Sequence, residues 1–76
     1  FNPTTEILFS VAASGRATLD FYHTLGQKIG TLFSGEAEPG QVYRVRLDGS
    51  RLASGVYYYR LQSGAWTESK RLVLLR

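Results

Sequence analysis

From Thr5 to Val11 the chain alternates: Ile7, Phe9 and Val11 fall on one side, Glu6 and Ser10 on the other. A period of two marks a β-strand with one face in a core and one in water. After the turn pair Ser14-Gly15 the pattern resumes, with Ala17, Leu19 and Phe21 inward and Arg16, Thr18 and Asp20 outward. Two such runs joined by a short glycine-containing turn predict a hairpin. Thr24-Leu25-Gly26-Gln27 is a further turn, followed by a shorter and less regular strand at Lys28–Phe33. The polar stretch Ser34–Gly40, closed by Pro39-Gly40, predicts a loop.

Val42–Leu47 alternates cleanly, with Tyr43, Val45 and Leu47 on one face and Arg44 and Arg46 on the other. Asp48-Gly49-Ser50 stops that strand, and Leu52-Ala53-Ser54-Gly55 forms a tight corner. In Val56–Leu61 the inward set is Tyr57, Tyr59 and Leu61, leaving Val56, Tyr58 and Arg60 outside. Ser63-Gly64 turns the chain into a final run, Ala65–Leu75, whose central residues are apolar on both faces, so its register stays open. No stretch carries a helical stripe. Short strands with turns roughly every 8–12 residues predict an all-β fold, a sandwich or a small barrel; the favoured form is an Ig-like antiparallel β-sandwich of about seven short strands, whose two packed sheets form the core.

At 76 residues the chain is one domain, 1–76. It has no Cys and a single His, so neither disulfides nor a zinc cluster can staple it, and the Tyr, Phe, Leu, Val and Ile positions must build the core. The net charge of +3 is scattered along the chain, unlike the concentrated stripe of a nucleic-acid binder; only Lys70, Arg71 and Arg76 lie close together. There is neither a secretory leader pattern nor a transmembrane run. A chain starting at Phe1 reads as a piece of a longer polypeptide. His23 has no second ligand or nucleophile at a recognisable spacing, and the glycines lie in separate turns rather than in one phosphate loop. The expected protein is not an enzyme and needs no cofactor or metal.

The ordered motifs carry more information than any one of them. Phe1-Asn2-Pro3-Thr4-Thr5 opens the chain, and Phe21–Lys28 sets an aromatic and a polar pair before Leu25-Gly26. Pro39-Gly40 precedes the strand at Tyr43–Leu47, and Leu52–Leu61 contains Gly55-Val56-Tyr57. Lys70-Arg71-Leu72-Val73-Leu74-Leu75-Arg76 closes it with a basic-apolar-basic run. In this order the set resembles the type A C-terminal sorting domain of the type IX secretion system, found in Bacteroidetes and related bacteria.

The resemblance implies a non-catalytic module at the C-terminus of a cargo domain in the same chain. It implies two partners: an outer-membrane translocon that recognises the module and a sortase-like peptidase that often removes it. The cargo would pass through the periplasm and be released or held at the cell surface. The resemblance directs attention to Gly55, Tyr57, Lys70, Arg71, Leu72, Val73, Leu74, Leu75 and Arg76 as translocon-recognition residues. Gly55 and Tyr57 also have a structural role available, a positive-φ corner and a tyrosine bonded back to the chain. The C-terminal run can be an ordinary last strand as well as one presented for β-augmentation. A structural or adhesive Ig-like module, of which the flagellar hook-cap domain is an example, shares the same pattern. A carbohydrate-binding module would use the 13% aromatic content on an exposed face, although core packing is the better account of Trp66 and the tyrosines.

Overall fold

The alternating runs become six antiparallel strands in a computed structural model, which describes residues 4–75. They are β1 (Thr4–Phe9), β2 (Gly15–His23), β3 (Lys28–Ala37), β4 (Tyr43–Asp48), β5 (Gly55–Ser63) and β6 (Trp66–Leu74). The Phe1-Asn2-Pro3 opening and Arg76 lie outside the described residues. The strands form two sheets, β1-β4 and β3-β2-β5-β6, packed as a sandwich.

The inner faces follow the predicted alternation. Ile7, Phe9 and Val11 near the chain start, with Leu47 of β4, are buried against Ala17, Leu19 and Phe21 of β2, Tyr57 and Leu61 of β5 and Leu74 of β6. Two clusters share the half-buried Leu32, Tyr59 and Leu72, which join them into one layer. Phe9 meets Phe33 edge-on and stacks on Tyr43, each at 5.2 Å between ring centres. Such pairs add about 0.5–1.5 kcal/mol to the burial itself.

Four expectations change. The strand count is six rather than about seven. Ser34–Ala37 is not loop: it extends β3, with Arg16 opposite Glu36 and Gly15 opposite Ala37, and Ala37 is fully buried. The polar composition misled because alternate positions, Ser34 and Glu36, face water. β1 and β2 do not form a hairpin: β1 pairs with β4, and β2 pairs with β3 and β5. Each strand has an apolar inner row, and setting them in opposite sheets lets those rows pack face to face. Finally, Asp20 is buried at 8% exposure. Its Oδ1 accepts a hydrogen bond from Thr31 Oγ1 at 2.8 Å and lies 3.4 Å from Lys28 Nζ, so the buried charge is paired. Register shifts beside Asp20 and Tyr22 leave Leu32 and Ile29 as extra residues on β3, which explains the broken alternation of that run.

Candidate functional site

The two segments singled out from the sequence, Gly55–Leu61 and the described part of Lys70–Arg76, meet as neighbouring strands. The two-residue turn Gly64-Ala65 joins them, with Gly64 at φ 60° in the first turn position and no positive φ at Ala65, as a type II′ hairpin requires. The pairing is continuous from Ser63 opposite Trp66 to Gly55 opposite Leu74. Tyr57 faces Leu72, Tyr58 faces Arg71 and Tyr59 faces Lys70.

The corner before β5 is tied locally. Leu52 N–H donates to the Gly49 carbonyl at 2.9 Å, and Tyr57 O–H donates to the Ala53 carbonyl at 2.6 Å. The Tyr57 ring stacks on Phe21 at 5.3 Å and is buried. Gly55 sits at φ 155°, and a Cβ there would meet nothing within 4 Å. Backbone conformation, not space, asks for glycine at this corner. At the start of the corner the Asp48 carboxylate accepts from Ser50 N–H at 2.9 Å. That bond, and a second from the Ser50 hydroxyl, hold its pKa below the ordinary 3.8.

Strand parity divides the residues expected from the sequence to serve in recognition. Tyr57, Leu72 and Leu74 point inward, and Leu74 is fully buried in the cluster with Phe21, Leu47 and Tyr57. Arg71 and Val73 project from the outer face, and Leu75 just beyond β6 is 64% exposed. Lys70 shares the inner face with Leu72, so the basic pair Lys70-Arg71 is split across the sheet. Arg76 lies outside the described residues.

Next to Arg71 the outer face carries motif residues that were not among those expected to serve in recognition. Tyr22 lies opposite Tyr58, and the Arg60 guanidinium sits over the Tyr22 ring, 4.9 Å from its centre, while donating to the Tyr22 hydroxyl. Alternation placed Tyr58 and Arg60 outside; their proximity to Arg71 and Tyr22 needed the strand order.

The inner face of β6 is only half covered. Two strands, β1 and β4, cannot cap four. An open groove of about 870 Å³ remains, with Phe9 and Val11 on one side and Tyr59, Trp66, Glu68 and Lys70 on the other. Trp66 is 49% exposed here, which corrects its expected place in the core: it lies beyond the reach of the smaller sheet. Tyr58, the other exposed aromatic of this hairpin, is on the opposite face, so the two make no common platform for a sugar. Among the described residues no helix is long and apolar enough to cross a membrane.

Comparison with known proteins settles what kind of module this is. The family model described as the secretion system C-terminal sorting domain matches residues 2–75. The chain belongs to that family. It is therefore a C-terminal sorting signal of the type IX secretion system, carried by cargo proteins that the system exports. No curated protein and no solved structure matches the chain. The match runs through both the Gly55–Leu61 strand and the Lys70–Leu75 run, which the fold sets side by side.

Proposed function

We propose that this sorting domain is read by the outer-membrane translocon through β6, with Arg71, Val73 and Leu75 contributing side chains and the strand edge contributing backbone. One observation carries the reading: among the described residues β6 is flanked by β5 on one side and by no strand on the other. Such an edge can accept another strand, main-chain bonds supplying affinity and alternate side chains specificity. Gly55, Tyr57, Leu72 and Leu74 act by holding the strand in place. Lys70 faces the groove, and Arg76 continues the basic end of the same run.

On this reading the domain is a non-catalytic module ending a larger exported protein. Its cargo precedes it in the same chain, a sortase-like peptidase handles it after transport, and the destination is release or the cell surface. The family match and the motif order support this assignment.

The test fuses residues 1–76 to the C-terminus of a reporter in a bacterium with type IX secretion. Arg71→Glu combined with Val73→Lys changes outward side chains and leaves the inner row intact. The variant domain should melt within a few degrees of the parent while the reporter stays in the periplasm. Export at the parental level would refute recognition through this face. Deleting residues 72–76 is the weaker experiment, because it also removes the core residue Leu74.

A further inference from the structure

The edge that defines β6 has a second property. Natural sheets blunt long edges with prolines, bulges, short strands or charged side chains, and of these β6 carries only the charges, Glu68, Lys70 and Arg71. β6 is a nine-residue strand without proline, and its pairing with β5 has no register shift. At about 3.3 Å per residue it offers roughly 30 Å of regular edge. Its inner row reads Trp66, Glu68, Lys70, Leu72: aromatic, acidic, basic, aliphatic. Trp66 is half exposed, and among the described residues neither Glu68 nor Lys70 belongs to an ion pair of this chain.

That row complements itself when reversed. A two-fold axis normal to a sheet keeps every residue on its own face, so it must pass through a residue, not between two. An axis through Glu68 sets Glu68 against its own copy, and one through Lys70 sets two ammonium groups together. Like charges directly opposite are destabilising. An axis through Ser69 places Glu68 opposite Lys70 of the second copy, Lys70 opposite Glu68, and Trp66 opposite Leu72. On the outer face it puts Thr67 against Arg71. Every cross-strand pair in this register is compatible, and the two ion pairs arise by symmetry.

We infer that β6 pairs antiparallel with β6 of a second copy of this chain, about a two-fold axis at Ser69. The two four-stranded sheets then run on as one of eight. The dimer covers the half-exposed Trp66 with Leu72 of the partner and occupies the edge assigned above to the translocon. The inference does not depend on that assignment, since it rests on the open edge and the charge order of β6.

Sedimentation velocity across a concentration series tests it with the 76-residue chain. The parent should show a monomer–dimer equilibrium. Glu68→Lys and Lys70→Glu each replace two attractive pairs by two repulsive ones, and each should raise the dissociation constant at least tenfold. The double variant E68K/K70E, with the charges exchanged, should dimerise like the parent. Most specifically, the two single variants should associate when mixed, because lysines of one then face glutamates of the other. Both positions are exposed, and circular dichroism checks that each variant is folded. A parent that stays monomeric at all concentrations overturns the inference, even if the edge captures another protein. Dimerisation indifferent to the reversals, or single variants that ignore each other, overturns it as well.

Discussion

Leu74 and Val73 are adjacent in β6, but a strand advances about 3.3 Å per residue and reverses its side-chain direction at each step, so the two point to opposite faces. Leu74 is fully buried against Phe21, Leu47 and Tyr57, whereas Val73 is 37% exposed on the outer face. Leu74→Ala removes buried methyl groups and leaves a cavity that strands β2, β4 and β5 cannot close without moving. The usual cost is 2–5 kcal/mol, and a fully enclosed site belongs near about 3 kcal/mol or above. For a chain of 76 residues the whole folding margin is on the order of 4–11 kcal/mol.

At roughly 4–8 °C per kcal/mol for a domain of this size, Leu74→Ala should lower Tm by about 10–25 °C. Val73→Ala should cost less than about 1 kcal/mol and shift Tm by a few degrees. Thermal melts followed by far-ultraviolet circular dichroism, with urea melts to check that the m-value is unchanged, measure both. Equal shifts for the two variants would refute the assigned parity of β6. So would a larger shift for Val73→Ala, since that would place the outward row in the core.

Two further outcomes follow from the corner before β5. Tyr57→Phe keeps the ring on Phe21 but removes the 2.6 Å hydrogen bond to the Ala53 carbonyl; it should cost about 1 kcal/mol, and an unchanged Tm would show that the corner bond contributes nothing. The Asp48 carboxyl has a folded pKa below its ordinary 3.8, so its contribution is present above that value and is lost as pH falls through the folded pKa. Asp48→Asn should therefore melt below the parent at pH 6, with the gap closing under acid; a gap that persists at pH 2 would refute the Ser50 bonds as its cause.

Much of the sandwich was legible because alternation is a local signal. Ile7, Phe9 and Val11, or Tyr57 and Leu61, announce a buried row without reference to any other strand. What alternation cannot carry is which strand pairs with which. The Ser14-Gly15 turn looked like the tip of a hairpin, yet β1 crosses to the sheet of β4, because burial of two apolar faces outweighs local pairing. Asp20 shows the same limit in a side chain. An aspartate on an outward position is normally solvated, and only the register with β3 brings Thr31 and Lys28 onto it. Trp66 fails for a third reason: it does lie on the inner face, but whether an inner face is covered depends on the widths of the two sheets. For the candidate site, the motifs named two separate segments of the chain, and only the pairing of β5 with β6 sets them side by side.

The parity of β6 also decides how the sorting signal can be dissected. Its odd-numbered residues Arg71 and Val73 face outward, and its even-numbered residues Leu72 and Leu74 hold the strand to the core. Loss of export after truncating the end of the chain is therefore expected whether the translocon reads the strand or merely requires a folded domain. Only substitutions confined to the outward row separate the two explanations. Lys70 and Arg71 sharpen the distinction, because similar charges one position apart lie on opposite faces. If the outer face is what the translocon reads, Arg71→Glu should impair export and Lys70→Glu should spare it. If the strand edge acts through self-pairing instead, the sensitivity moves to Lys70. One charge reversal at each of two adjacent positions thus tells which face of the strand the cell uses.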